Sequence, residues 1–254
     1  MRLVIITQND SFFIPESLDY LIQNLKKEDE VVAAIVSDVS PFGKKEILFA
    51  KALKTFKIFG LKFFLFYSLK FIIHKYILRR SVIGTLYKRK IKIIELTSSI
   101  NSEESLELIR KFNPDLLLSI ASNEIFKEQL FNLAKFGCLN LHTGMLPEYR
   151  GLMPSFWAMK NNEKYIGVSV FMVDEGIDSG PILVQTKLEI GNLTQDALIK
   201  LTKKIGMNCI LEAIELIRTQ EYEVIENSDG ASSYYSFPKK VDVVQFRKSG
   251  KKFF

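Results

Sequence analysis

The stretch Cys138-Leu139-Asn140-Leu141-His142-Thr143-Gly144-Met145-Leu146-Pro147-Glu148-Tyr149-Arg150-Gly151 reads as a short apolar strand that ends in polar, reactive groups. Side chains two apart on a strand share a face. Asn140 and His142 therefore project together, while Leu139 and Leu141 point the other way into a core. Leu146-Pro147 and Arg150-Gly151 then turn the chain and leave an open rim. Residues 167–173 read as a longer strand that delivers a polar, glycine-punctuated loop, Asp174-Glu175-Gly176-Ile177-Asp178-Ser179-Gly180. Two polar clusters at strand ends suit an open α/β sheet, where ligands bind at the carboxyl ends of the strands.

The flanking sequence supports that fold class. Residues 3–6 form an apolar run followed by Leu18, Leu21, Ile22 and Leu25 at helical spacing, and residues 31–36 form a second β-rich run. This β-α-β opening predicts a parallel α/β sheet. Residues 92–96 read as another strand, and Asn101 or Ser102 can cap the helix carrying Leu106, Leu108, Ile109 and Phe112. The continuous apolar run at 116–120 suits a sheet covered on both faces. Thr194 is placed to cap a long helix through about Ile217. No Gly-rich phosphate loop follows the first strand, so a dinucleotide fingerprint is absent.

Residues 44–90 are a basic, apolar helical insertion. The run 58–78 is largely apolar but includes Lys62, Lys70, His74 and Lys75, which argues against a membrane span. It reads first as an amphipathic helix packed on the domain, with peripheral contact to a membrane surface as the alternative. The net charge of +6 favours an anionic partner without choosing one. Cys138 and Cys209 make neither a disulfide framework nor a metal site, and a cytoplasmic setting is the simpler reading.

An amide, an imidazole and a carboxylate suit acyl transfer to an amine. Asn140 and His142 can donate hydrogen bonds to the oxygen that gains charge, at about 3 kcal/mol each. Asp178 can accept a proton from the amine. No metal is needed for this chemistry.

At this point the chain resembles the 10-formyltetrahydrofolate-dependent formyltransferases, most closely those that act on sugar nucleotides. The resemblance rests on Asn140-Leu141-His142, on Leu146-Pro147-Glu148-Tyr149-Arg150-Gly151, and on Asp174-Glu175-Gly176-Ile177-Asp178-Ser179-Gly180, in that order. It implies a Rossmann-like, mostly parallel sheet with helices on both faces, here spanning residues 1–220, with a small C-terminal appendage at 221–254. It implies that Asn140, His142 and Asp178 are the catalytic trio. It implies that Ser122, Asn123, Glu124, Ile125 and Phe126, with Val173, Asp174, Glu175 and Gly176, hold the folate, much of it through backbone groups. Tyr149, Arg150 and Gly151 would lie near the acceptor.

The expected co-substrate is 10-formyltetrahydrofolate, and the expected acceptor is a nucleotide-linked amino sugar used in surface polysaccharide assembly. The chain shares with such enzymes its compact length and the Leu-Pro-x-Tyr-Arg-Gly-x-x-Pro form, through Pro154. Methionyl-tRNA is the less favoured acceptor, because little chain follows the long helix. Glycinamide ribonucleotide is less favoured because Thr7-Gln8-Asn9-Asp10-Ser11-Phe12-Phe13 replaces a phosphate loop. A hydrolase that releases formate is a further alternative, for which an N-terminal regulatory domain is expected. No DNA partner is expected, and a homodimer is left open.

Overall fold

The computed structural model describes residues 1–39, 48–122, 124–220, 222–228, 230 and 232–254, so Asn123 and residues 44–47 of the insertion lie outside the described residues. The first half runs β1 (Arg2–Gln8), α1 (Ile14–Gln23), β2 (Glu30–Ser37), α2 (Leu48–Ile72), α3 (Val82–Lys88), β3 (Lys92–Ile94), α4 (Glu103–Arg110), β4 (Leu116–Ile120) and α5 (Glu128–Phe131). The second half runs β5 (Cys138–His142), β6 (Arg150–Gly151), α6 (Pro154–Lys160), β7 (Tyr165–Met172), β8 (Ile182–Glu189), α7 (Gln195–Thr219), β9 (Tyr234–Tyr235) and α8 (Lys240–Lys248).

Seven strands form one sheet in the order β3-β2-β1-β4-β5-β7-β8. The pairs from β3 through to β5 are parallel, and β7 runs antiparallel to both β5 and β8. Leu3, Ile5, Leu116 and Leu118 pack under α1, α3 and α7, while Val4, Ile6 and Leu117 pack under α4 and α5. Both faces are covered, which is why residues 3–6 of β1 and 116–118 of β4 are apolar without a break rather than alternating. This is the expected α/β sheet with helices on both faces.

Local details differ from the sequence reading. Ser102 is the cap of α4, its Oγ accepting from Ser105 N at 3.3 Å. Asn101 instead ties down the loop before α5: its Nδ2 donates to Ile125 O at 2.9 Å and its Oδ1 accepts from Lys127 N at 2.8 Å. The reading assigns no strand to β8, whose polar half, Lys187 and Glu189, lies at a sheet edge where apolar patterning fades.

Within the basic, apolar stretch, α2 is continued by a π-helical turn at Ile73–Ile77, and α3 follows with Val82 and Leu86 in the core under the sheet. Gly60, at φ +79°, breaks α2 with a left-handed backbone that glycine adopts without penalty. Arg247 of α8 donates to the carbonyl of Phe59 at that break. The inner side of α2 packs on a third core, where Phe63 meets Phe253 with ring centres 4.9 Å apart and Phe246 stacks on Phe156 at 5.0 Å. The helices α2, α6 and α8 and the C-terminal Phe253 thus share one cluster of rings. Among the described residues no helix is long and apolar enough to cross a membrane.

Candidate active site

The site starts from the register of β5. Asn140 lies level with Ser119 of β4, and His142 level with Ser169 of β7. Leu139 and Leu141 enter the core beneath α7, so Asn140 and His142 emerge on the opposite face, as the alternation requires. Gly206 permits that close approach of α7, because a Cβ there would sit 2.7 Å from Leu141 Cδ1.

His142 is buried, and its Nε2 lies 2.7 Å from the carbonyl oxygen of Tyr149. A carbonyl only accepts, so Nε2 carries the hydrogen and donates. Nδ1 is left facing Asp178 Oδ2 at 3.5 Å. Gly144 makes room for the ring, since a Cβ at that position would come 2.6 Å from His142 Nε2.

Asp178 sits in the loop after β7, itself in the left-handed region at φ +51°. Its Oδ2 accepts from Gly151 N at 2.8 Å, and its Oδ1 lies 3.5 Å from Asn140 Nδ2. The carboxylate therefore stands between the amide and the imidazole. The loop is closed by its own chemistry: Asp174 Oδ1 accepts from Gly176 N at 3.1 Å and from Ser179 Oγ at 2.6 Å. It is also held from outside. Asn227 Nδ2 donates to the carbonyls of Asp178 and Gly180, at 3.0 and 2.8 Å.

A cavity of about 470 Å³ opens at the carboxyl ends of β1, β4 and β5, where Gln8, Ser119, Asn140 and His142 line it. This is where the strand order reverses direction, the crevice expected to hold ligands in such sheets. Asp178 lines the same cavity, as do Ser122, Glu124, Ile125, Phe126, Val173, Asp174, Gly176 and Gly151. Glu175 is exposed and is not among the lining residues, and Asn123 lies outside the described residues.

Tyr149 and Arg150 do not line it either. Tyr149 is buried, donates from its hydroxyl to Glu163 at 2.6 Å and serves His142 through its backbone carbonyl. Arg150 is buried and donates from Nη2 to the Asn227 carbonyl at 2.9 Å and to its Oδ1 at 3.1 Å. It supports Asn227, which supports Asp178.

The sequence reading misses a further stretch of wall. Gln195, Ile199 and Lys203, four residues apart on α7, all line the cavity. Gln195 is only 2% exposed, and its Nε2 has no hydrogen-bond partner among the described residues. Burial pushes the Lys203 ammonium down to about 8, with the Asp10 carboxylate opposing the shift. A repeat of four along one helix is the signal that marks this face. Asp10 also fills the N-terminus of α1: its Oδ2 accepts from Phe13 N at 2.6 Å and Ile14 N at 2.9 Å.

Comparison with known proteins bears on these features. The methionyl-tRNA formyltransferase of Kosmotoga olearia is 33% identical over 149 residues, which cover 58% of this chain and 47% of that protein. That of Thermotoga neapolitana is 34% identical over 152 residues, covering 59% and 49%. The chain spans about half the length of the curated relatives it matches. Two solved structures share the fold. An N-formyltransferase from Helicobacter canadensis, in complex with folinic acid and dTDP-3-aminofucose, superposes with a TM-score of 0.56 at 22% identity, covering 92% of this chain and 70% of that one. A phosphoribosylglycinamide formyltransferase from Anaplasma phagocytophilum gives 0.64 at 14% identity, covering 93% and 99%. The formyl transferase family model matches residues 77–214, a span that holds the cavity residues Ser122, Glu124, Ile125 and Phe126, the loop of Asp174 and Asp178, the whole of β5 and most of α7. By that match the chain belongs to the formyl transferase family.

Proposed function

We propose that this protein transfers the formyl group of 10-formyltetrahydrofolate to the amine of a nucleotide-linked amino sugar. The observation that carries the reading is the placement of Asn140, His142 and Asp178 on one cavity, with the carboxylate between the other two. The wall of Ser122, Glu124, Ile125 and Phe126 suits a flat heterocycle: Ile125 is 56% exposed beside the cavity and offers apolar surface, and the flanking loops offer backbone groups.

The bound folate supplies an activated formyl group. Asn140 offers an amide N–H to the charge that grows on the formyl oxygen, and such a donor is typically worth about 3 kcal/mol in the transition state. Asp178, fixed by the Gly151 N–H, takes the proton from the attacking amine. His142 is locked by Tyr149 so that Nδ1 faces this exchange. Lys203 and Gln195 provide a cation and an unused amide donor on the cavity wall, which fits an acceptor bearing phosphates. Asp10 already satisfies the first N–H groups of α1, so that helix end does not invite the phosphate of a small ribonucleotide.

Methionyl-tRNA is the second reading, favoured by the names of the curated relatives. A panel decides: the protein is mixed with 10-formyltetrahydrofolate and with UDP-, GDP- and dTDP-linked amino sugars, glycinamide ribonucleotide or initiator methionyl-tRNA, and tetrahydrofolate release is followed. Turnover with an amino-sugar nucleotide is expected. Turnover with the tRNA alone would sink the sugar reading, and formate release without any amine would make the enzyme a hydrolase.

A further inference from the structure

The helix α2 is apolar on two opposite sides, and the fold covers only one. Phe63, Tyr67, Lys70 and His74 point inward. Phe63 meets Phe253, Tyr67 and Lys70 reach Asp196, and His74 Nδ1 lies 3.0 Å from the Ser11 carbonyl. Leu61, Leu65, Leu69, Ile72 and Tyr76 recur at steps of three and four, which places them in one stripe about half a helical turn away. They are 59, 57, 59, 49 and 63% exposed. A helix apolar all round is normally buried all round. An uncovered stripe of this length marks an interaction surface.

The charge around the stripe points to its occupant. Residues 48–94 contain no Asp or Glu. Lys57, Lys62, Lys75 and Arg79 are exposed along the same segment, while Lys70 and Arg80 are spent on Asp196 and Glu16. Large apolar side chains ringed by lysines match a bilayer surface, whose headgroups take the cations and whose acyl boundary takes the leucines. The alternatives fit less well. A second copy docked through the same face would bring like charges together with no acid to offset them. A nucleic acid would meet the lysines but leave the leucine stripe in water. No described helix can cross a membrane, so the contact is one of lying on the surface.

We infer that the outer face of α2 and its π-helical extension docks the protein on a membrane surface rich in anionic lipid. The catalytic residues stand on other elements, so docking and formyl transfer are separable.

The full chain is tested by co-sedimentation with vesicles of phosphatidylglycerol and phosphatidylcholine, against vesicles of phosphatidylcholine alone. Binding to the anionic vesicles is expected, and added salt weakens it. The triple variant Leu61→Gln/Leu65→Gln/Leu69→Gln and the triple variant Lys57→Glu/Lys62→Glu/Lys75→Glu should each bind about tenfold more weakly or worse, with unchanged circular dichroism. Wild-type protein that stays in the supernatant with anionic vesicles at low salt overturns the inference, whatever the variants do. So does equal binding to both vesicle types. A dimer in sedimentation equilibrium that the leucine variant dissolves, without vesicle binding, assigns the face to self-association instead.

Discussion

At the scale of the residue, the site is a set of single atoms held in place. The Tyr149 carbonyl fixes which nitrogen of His142 carries hydrogen, and Gly151 N–H fixes one oxygen of Asp178. His142→Ala removes the imidazole and leaves a small cavity beside Gly144. Formyl transfer should fall by about a hundredfold or more while circular dichroism is unchanged; a variant with full turnover refutes the mechanism. Gly144→Ala tests the position of the same ring without removing it. The added methyl would lie 2.6 Å from Nε2, so the imidazole must shift. The expected result is a drop in kcat with little change in acceptor KM. Lys203 gives a pH signature. Its ammonium, lowered to about 8 by burial, is charged below that value and neutral above it. With an acceptor that carries phosphate, kcat/KM should decline as pH rises through about 8. In Lys203→Met that limb vanishes and acceptor KM rises; a pH profile identical to wild type removes Lys203 from the acceptor site.

At the scale of the element, a segment distant in sequence completes the site. Ile225, Asn227 and β9 lie beside the loops of the cavity. Ile225 bridges Ile182, Asn227 holds Asp178 and Gly180, and β9 pairs with β6. Asn227→Ala frees the carbonyls of Asp178 and Gly180 and takes the side-chain acceptor from Arg150. Kinetic assays should show kcat down roughly tenfold, with KM for folate less affected, because a buried hydrogen-bonding amide is worth about 1–3 kcal/mol. Unchanged kcat would show that the loop holds Asp178 unaided. This element also marks the boundary of what the sequence discloses. Asn140, His142 and the loop of Asp178 are legible because strand alternation and glycine punctuation are local patterns. The α/β class is legible in β1 and β4 for the same reason. Asn227 is not, since its role exists only once the chain returns to β7. Tyr149 and Arg150 invite a ligand-binding reading from their side chains. The structure uses the backbone of one and buries the guanidinium of the other. The wall of Gln195, Ile199 and Lys203 lies on a helix whose more obvious apolar stripe faces the core.

At the scale of the whole molecule, the question is whether 221–254 is an appendage in energy as well as in sequence. Phe246 is fully buried; its ring stacks on Phe156 of α6 at 5.0 Å and on Phe253 at 4.4 Å. Phe253 in turn meets Phe59 and Phe63 of α2, at 5.7 and 4.9 Å. The backbone joins in: Gln195 N and Asp196 N, in the first turn of α7, donate to the carbonyls of Lys252 and Phe253. Because α7 packs on β5, β7 and β8, the ring cluster is coupled to the sheet through the helix that walls the cavity. The C-terminal segment should therefore unfold with the sheet and not before it. Phe246→Ala empties a ring-sized space, at a typical cost of about 3–5 kcal/mol. For a chain of this size each kcal/mol moves the midpoint by about 2–4 °C. Scanning calorimetry should show one transition for the wild type and one transition, lowered by roughly 6–20 °C, for the variant. A new early transition in the variant, with the main one unmoved, would mean that the ring cluster melts as its own unit and that the sheet and its cavity loops stand without it.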